Sequence, residues 1–307
     1  MTAALTGDMM ARAPAKVNVH LAVGPLRPDG FHELRTVYLA VSLVDTVTVR
    51  PGDGLSLTVS GEGADVVPTD RGNLVWRAAE LLAASAGVPA DADIAIAKSI
   101  PAAAGLAGGS ADAAAALVAL DALWGTRADR EHLTELAAQL GSDVPFSLLG
   151  GVALGSGRGE QLSPVLARTP SHWVLGIAGE GLSTPAVYAE LDRLRAAGRV
   201  PDGTEPAPAE PMIAALRAGA PAALAAALMN DLQAPALALR PELRRALAAA
   251  TDAGASGVLV SGSGPTVAAL APDELSAVRL AATLAGAGVF RTVRAVRGPV
   301  PGARLVG

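Results

Sequence analysis

Residues 101–111 read Pro-Ala-Ala-Ala-Gly-Leu-Ala-Gly-Gly-Ser-Ala, and a long run of alanine and leucine follows from Asp112. Its three glycines allow the backbone to adopt positive φ and to approach a ligand closely. The first N–H groups of the predicted helix lack intrahelical partners, and the helix dipole favours negative charge there. This segment, called the glycine loop below, is therefore a candidate phosphate site, although its spacing fits neither the P-loop nor the dinucleotide fingerprint. An ordinary flexible turn before a helix is the alternative.

Composition narrows the class of protein. The chain has 307 residues, enough for about two domains, and its net charge of −5 argues against a nucleic-acid-binding surface. It contains no cysteine, which excludes disulfides and thiolate chemistry and suits a reducing cytoplasm. Residues 1–10 show no signal-peptide pattern, and no apolar run is long enough for a membrane span. We therefore expect a cytoplasmic two-domain protein that binds small molecules, without nucleic-acid or membrane partners.

The pattern of apolar residues predicts strands and helices in irregular alternation. Because the strands and helices follow no strict βαβ rhythm, the predicted fold class is α+β. Glycines end two of the helices, at positions 125 and 141. Strands are predicted over residues 11–23, 37–50, 55–60, 93–98, 152–154, 173–178, 257–261, 267–270 and 291–296, and helices over residues 73–86, 111–124, 130–140, 185–197 and 241–253.

Two polar residues lie two apart in the first predicted strand. Lys16 and Asn18 therefore point to the same face of the sheet. Asp143 follows Gly141 and Ser142 and precedes Val-Pro at a helix start. By residue type alone, a solvated lysine and a capping aspartate are the simpler interpretations, and a catalytic pair is the alternative.

The segment Gly30-Phe31-His32-Glu33-Leu34 places an aromatic ring beside an imidazole between two predicted strands. This pairing suits stacking on a planar base and hydrogen bonding to its edge.

A second glycine turn, residues 261–265, either closes a hairpin or brings backbone N–H groups toward a phosphate. The four histidines show no zinc-ligand spacing, so no metal site is predicted. Residues 155–159 resemble a dinucleotide loop only superficially, because Glu160 occupies the third glycine position.

Taken in order, these segments resemble the GHMP kinase superfamily over nearly the whole chain, most closely its members that phosphorylate 4-diphosphocytidyl-2-C-methyl-D-erythritol. The glycine loop alone indicates the superfamily. The motifs around Lys16, His32 and Asp143 indicate the diphosphocytidyl branch. The matching segments are residues 13–18 (Ala-Pro-Ala-Lys-Val-Asn), 29–34 (Asp-Gly-Phe-His-Glu-Leu), 100–114, 140–145 (Leu-Gly-Ser-Asp-Val-Pro), 230–232 (Asn-Asp-Leu) and 261–265.

The resemblance implies a two-domain kinase with an N-terminal ribosomal S5 domain 2-like unit over residues 1–165 and a C-terminal ferredoxin-like unit over residues 166–307. It implies ATP as phosphoryl donor, with Mg²⁺, in isoprenoid precursor biosynthesis by the non-mevalonate route. It also implies catalytic roles for Lys16 and Asp143, and substrate contacts by Asn18, Phe31, His32 and Tyr188. The implied nucleotide-binding residues are Asn73, Lys98, Pro101, Ala102, Ala103, Ala104, Gly105, Leu106, Ala107, Gly108, Gly109, Ser110 and Ala111.

The chain departs from the commoner family loop, Gly-Leu-Gly-Gly-Gly-Ser-Ser, at two positions. Ala107 replaces a glycine, and we expect the loop to form if φ is negative there. Ala111 replaces a serine and removes one hydroxyl contact. Phe31 stands where a tyrosine is expected, which keeps the ring and loses its hydroxyl.

Three alternatives share some of these features. The glycine loop equally fits another GHMP kinase, such as a homoserine or mevalonate kinase, and a cytidine requirement separates these from the diphosphocytidyl branch. A catalytically silent ligand sensor is opposed by the presence of both Lys16 and Asp143. An RNA-binding protein built on the S5-like fold is opposed by the acidic net charge.

Overall fold

The computed structural model describes residues 7–306. Residues 1–6, which include most of the stretch searched for a targeting signal, and residue 307 lie outside it. The strands are β1 (Met9–Leu26), β2 (His32–Arg50), β3 (Leu55–Gly61), β4 (Ala92–Lys98), β5 (Val152–Ser156), β6 (Gln161–Pro164), β7 (Ser171–Ile177), β8 (Met229–Asn230), β9 (Gly257–Val260), β10 (Thr266–Ala271), β11 (Thr292–Gly298) and β12 (Arg304–Leu305).

The helices alternate irregularly with these strands, which confirms the predicted α+β class. They are α1 (Leu74–Ala86), α2 (Gly108–Trp124), α3 (Arg130–Leu140), α4 (Val144–Leu149), α5 (Thr184–Ala196), α6 (Glu210–Ala218), α7 (Pro221–Ala227), α8 (Gln233–Leu239), α9 (Leu243–Asp252) and α10 (Glu274–Gly286). The sequence patterns gave only a start for α4 and no ranges for α6, α7, α8 and α10. They missed β6, β8 and β12, each of which has four residues or fewer.

Two sheets organise the molecule. The larger has the order β12-β1-β2-β4-β3, with β5 and β8 paired to β2 and β1, and the smaller has the order β11-β7-β10-β9. The long β1–β2 hairpin spans the larger sheet, and its tip reaches the second half of the chain. Strands β8 and β12 return from that half to pair with β1, so the two halves are joined along this strand.

Helix α2 is the central element of the larger core. It packs against β1, β2 and α1, and its residues 113–117 are completely buried. Four of these five are alanines, whose small side chains let the helix approach the sheet closely on several sides. The low aromatic content of 3% is therefore compatible with dense packing, because the core is closed by backbone proximity rather than by large rings.

The glycine loop joins β4 to α2, as the pattern predicts, but the helix begins at Gly108, three residues earlier than expected. The expectation of a negative φ at Ala107 is wrong: Ala107 has φ of 56° and precedes the helix in the left-handed region, and Ala103 has φ of 51°. The loop thus forms with both alanines in the left-handed region. For residues other than glycine this conformation costs about 1–2 kcal/mol each.

Candidate active site

One cavity of about 710 Å³ contains most of the predicted site residues. Its wall is formed by the β1–β2 hairpin, the glycine loop, the start of α4, helix α5 and the turn at residues 261–265. The predicted residues that line it are Lys16, Asn18, Phe31, His32, Ala103, Ala104, Gly105, Ala107, Gly108, Gly109, Ser110, Asp143 and Tyr188. The loop residues Pro101, Ala102, Leu106 and Ala111 do not line it, and Leu106 and Ala111 are buried in the core.

Lys16 is the centre of the polar part of this wall. Its Nζ donates to Asn18 Oδ1 at 2.6 Å, which confirms that the two side chains share a face of β1. Asn18 in turn donates to Thr36 Oγ1 on β2 at 2.8 Å. The backbone N–H of Lys16 donates to Leu106 O in the glycine loop at 3.1 Å, so the strand that carries Lys16 is held directly against the loop.

Asp143 faces Lys16 across the cavity, with Oδ2 at 3.5 Å from Nζ. Its carboxylate makes no capping hydrogen bond to α4 although it occupies the capping position, so the simpler capping interpretation is wrong. The side chain of Asp143 is 30% exposed and that of Lys16 is 8% exposed. A carboxylate accessible from the cavity beside a buried ammonium can accept a proton from a bound hydroxyl and remain stabilised by the positive charge.

Tyr38 lies behind this pair and was missed by sequence reasoning. Its ring centroid is 5.7 Å from Lys16 Nζ and 4.8 Å from the ring of Phe146. Burial, followed by the negative charge of Asp143, raises the pKa of Tyr38 well above its usual value. The phenol therefore stays protonated and cannot act as a base. The register of the β1–β2 hairpin is a signal that could have identified Tyr38, because this residue pairs directly with Asn18.

The hairpin tip forms the aromatic end of the cavity. His32 stacks on Tyr188 of α5, with ring centroids 5.2 Å apart and an interplanar angle of 25°. Phe31 is 49% exposed at the rim, and the guanidinium carbon of Arg158 lies 4.9 Å from its ring centroid. Arg158 belongs to the β5–β6 turn that sequence reasoning set aside, and it also lines the cavity. Burial, together with the charge of Asp143, raises the pKa of Tyr188, so this phenol stays protonated.

The second glycine turn, residues 261–265, closes the β9–β10 hairpin and also supports the glycine loop. Ser261 Oγ donates to Gly105 O at 3.3 Å, and Thr266 Oγ1 donates to Ala104 O at 2.6 Å. Asn230, from the predicted Asn-Asp-Leu motif, donates to the carbonyls of Val260 and Gly262. Asn230 thus holds the turn, and Ser261 and Thr266 hold the glycine loop by donating to its carbonyl oxygens.

Gly105 lies at the contact between these two turns, with φ of 76°. A Cβ at this position would lie 2.4 Å from the carbonyl oxygen of Ser261. We expect Gly105→Ala to lower the free energy of unfolding by about 2–3 kcal/mol and to raise the KM for ATP roughly 10-fold, because backbone on both sides must move. Denaturant titration and steady-state kinetics measure these effects. Gly125→Ala is the matched control, because Gly125 also has a positive φ, of 63°, but has open space around its Cβ position and lies outside the cavity. This variant should lower the free energy of unfolding by only about 1 kcal/mol and leave the KM for ATP unchanged, so equal behaviour of the two variants contradicts the prediction.

Two predicted nucleotide-binding side chains lie outside the cavity. Asn73 caps α1 by accepting from Val75 N at 2.9 Å, and it donates to Pro68 O at 2.7 Å. Lys98 is buried beneath the glycine loop, where Nζ donates to Asp45 at 2.5 Å and to Asp112 at 2.6 Å. The predicted contact of these side chains with a nucleotide is not favoured by this geometry, because their polar groups already have protein partners.

A buried cluster fixes the residues that lead into the glycine loop. It consists of Asp45, Lys98 and Asp112 and is called the carboxylate–lysine cluster below. Asp45 Oδ1 accepts from the backbone N–H groups of Ser99 at 2.6 Å and Ile100 at 2.8 Å. Burial alone lowers the pKa of Lys98, but the two carboxylates outweigh it and raise that pKa. Burial and the neighbouring Asp45 raise the pKa of Asp112 to about 8. The cluster thus links β2, β4 and the first turn of α2.

The described residues contain no group of three side chains suited to hold a metal ion. Helices long and apolar enough to cross a bilayer are likewise absent from residues 7–306. Oxygen donors do line the cavity beside the loop, namely the Ser110 hydroxyl and the Asp143 carboxylate. This donor set fits Mg²⁺, which commonly takes one or two protein oxygens and completes its shell with substrate phosphates and water.

Comparisons with known proteins agree with this geometry. The family model for the GHMP kinase N-terminal domain matches residues 73–151, and that for the GHMP kinase C-terminal domain matches residues 212–289. The chain is 58% identical over 306 residues to the 4-diphosphocytidyl-2-C-methyl-D-erythritol kinase of Rhodococcus jostii, covering 100% of this chain and 97% of the relative.

Solved structures show the same relationship. A crystal structure of 4-(cytidine 5'-diphospho)-2C-methyl-D-erythritol kinase matches with a TM-score of 0.77 and 38% identity, covering 95% of this chain and 100% of the other. The homoserine kinase of Cytophaga hutchinsonii matches with the same TM-score of 0.77 but 19% identity, covering 100% of this chain and 99% of the other, and so shares the fold alone. The chain belongs to the GHMP kinase family, which makes it an ATP-dependent kinase of a small molecule, and over its whole length it is similar to the 4-diphosphocytidyl-2-C-methyl-D-erythritol kinases of that family.

Proposed function

We propose that this chain transfers the γ-phosphoryl group of ATP to the 2-hydroxyl of 4-diphosphocytidyl-2-C-methyl-D-erythritol and releases ADP. The observation that carries the proposal is the placement of Lys16 and Asp143, 3.5 Å apart, beside the glycine loop on the wall of one cavity. The similarity to kinases named for this substrate, 58% identity over the full chain in one case, supports the choice of acceptor.

The nucleotide phosphates would lie at the start of α2. Gly108, Gly109 and Ser110 occupy the first turn of this 17-residue helix and line the cavity. Their N–H groups precede the first intrahelical bonds, so they can donate to phosphate oxygens, and the helix dipole adds to the attraction. Mg²⁺ bound with the nucleotide would neutralise part of the polyphosphate charge, and the Ser110 and Asp143 oxygens on the cavity wall could hold it.

The acceptor hydroxyl would lie between Asp143 and the γ-phosphorus. Asp143 accepts its proton as the new O–P bond forms and the bond between the γ-phosphorus and the bridging oxygen breaks, so that ADP leaves with the electron pair. The Lys16 ammonium, 3.5 Å from the carboxylate, stabilises the negative charge that develops on the acceptor oxygen. Because phosphoryl transfer has a loose transition state, most of the acceleration comes from positioning and charge.

The base of the substrate would lie at the aromatic end of the cavity. Phe31 and Tyr188 offer ring faces for stacking, and His32 offers a ring nitrogen for the base edge. Asn18, held by Lys16 and Thr36, would contact the polyol near the acceptor hydroxyl.

The test is ADP release by the purified protein with Mg²⁺ and ATP. The acceptors compared are 4-diphosphocytidyl-2-C-methyl-D-erythritol, the same polyol phosphate without the cytidyl group, homoserine and mevalonate. We expect turnover with the cytidyl compound only. Turnover with another alcohol instead would show that the proposed acceptor is wrong and that the chain is still a kinase. ATP binding without any turnover would indicate a ligand sensor.

A further inference from the structure

Helix α5 presents three side chains along one face to the β1–β2 hairpin. Tyr188, Asp192 and Arg195 are spaced four and three residues apart, which places them on the same side of the helix. Arg195 donates to the carbonyl oxygens of Val23 at 2.5 Å and Gly24 at 3.0 Å, at the end of β1. These bonds fix the helix against the hairpin, so the neighbouring contact of Asp192 has a defined geometry.

Asp192 contacts the buried ring of His32. Its Oδ1 lies 2.9 Å from His32 Nε2, and the side chain of His32 is 6% exposed. A carboxylate only accepts hydrogen bonds, so Nε2 carries a hydrogen. In a neutral imidazole the other nitrogen then carries none and is an acceptor. Among the hydrogen bonds of residues 7–306, the ring of His32 takes part in this one only, and both His32 and Asp192 line the cavity.

We propose that Asp192 is a specificity-determining positioning residue: by holding the hydrogen of His32 on Nε2, it leaves Nδ1 as an acceptor that selects an amino-bearing pyrimidine over an oxo-bearing one. The inference rests on the proposed function, since it assumes a pyrimidine base at the aromatic end of the cavity. Cytosine carries an amino donor at C4, whereas uracil carries a carbonyl acceptor at the same position. A bare Nδ1 pairs with the first and repels the second.

The variant Asp192→Asn tests this directly. An amide can accept from Nε2–H or donate to a bare Nε2, so it no longer fixes which nitrogen of His32 carries the hydrogen. The measurement is kcat/KM for 4-diphosphocytidyl-2-C-methyl-D-erythritol and for its uridine counterpart. We expect the wild-type chain to prefer the cytidine compound, and Asp192→Asn to lower the cytidine-to-uridine ratio by about 10- to 100-fold.

Glu190→Gln is the matched control. Glu190 lies on the same helix, pairs with Arg193 at 2.7 Å and does not line the cavity, so this variant should keep the wild-type ratio. An Asp192→Asn enzyme that loses activity equally with both compounds, or keeps the wild-type ratio, overturns the proposal, because a merely structural role changes both substrates alike.

Nitrogen-15 NMR of His32 gives a second readout that needs no substrate. The wild-type ring is expected to carry a hydrogen on Nε2 and none on Nδ1, and the Asp192→Asn ring to populate forms with the hydrogen on either nitrogen. Comparison with His32→Gln assigns the signal among the four histidines. A wild-type ring with its hydrogen on Nδ1 overturns the proposal. If the wild-type chain does not react with the cytidine compound, the proposed function is overturned instead. The NMR measurement uses no substrate, so its result tests the role of Asp192 independently of that outcome.

Discussion

Asp143→Asn is expected to lower kcat by about 100-fold or more, with the KM values and the fold largely retained. The amide keeps the shape of the side chain but cannot take the proton of the acceptor hydroxyl. Stability should be nearly unchanged, because the Asp143 side chain makes no capping bond to α4 and is 30% exposed. Steady-state kinetics of ADP release and a urea titration of the same preparation measure both quantities.

Asp129→Asn is the control for this substitution. Asp129 also stands at a helix start, where its carboxylate accepts from His132 N at 2.8 Å, and it lies away from the cavity. This variant should retain full kcat, since asparagine caps helices about as well as aspartate. If Asp143→Asn retains nearly full kcat, Asp143 is not the base and serves to orient the hydroxyl.

Local periodicity predicted the common face of Lys16 and Asn18 but not the shape of the glycine loop. The two-residue spacing of Lys16 and Asn18 places both on one face of β1, and the glycines mark where β4 turns into α2. The positive φ of Ala107 was not predictable from residue type, because alanine disfavours that region. The hydrogen bonds from Ser261 and Thr266, which are more than 150 positions away in the chain, hold the loop, and no local pattern contains them.

The burial of Lys98 was predictable from the alternation of β4, although lysine is usually an exposed residue. In β4 the buried positions are 92, 94, 96 and 98, so the alternation that buries Ile94 and Ile96 also turns Lys98 inward. A buried lysine needs a carboxylate, but the sequence gives no means of choosing Asp45 and Asp112 among the acidic residues. Asp192 was missed for the same reason, because its partner His32 is 160 positions away.

The second large effect is expected for Lys98→Met, which should lower the free energy of unfolding at pH 7 by about 3–5 kcal/mol. The substitution keeps an unbranched side chain of similar length and removes the ammonium group that Asp45 and Asp112 share. Their side chains are 0% and 3% exposed, so no water replaces the lost counterion. Because Asp45 also accepts from the N–H groups of Ser99 and Ile100, the KM for ATP should rise as the loop entry shifts.

Asp112→Asn is the matched control for Lys98→Met. Its free energy of unfolding should also depend on pH differently from that of the wild type. This variant leaves one carboxylate with one ammonium, so it should be far less damaging than Lys98→Met. In the wild-type chain the pKa of Asp112 is raised from 3.8 to about 8, so its stabilising contribution is complete below about pH 4 and is lost as the pH rises to about 8. Asp112→Asn lacks this titration, and its stability should therefore increase relative to wild type across that range. Parallel stability curves for the two proteins, or a Lys98→Met protein as stable as wild type, would show that the cluster does not hold the loop through its charges.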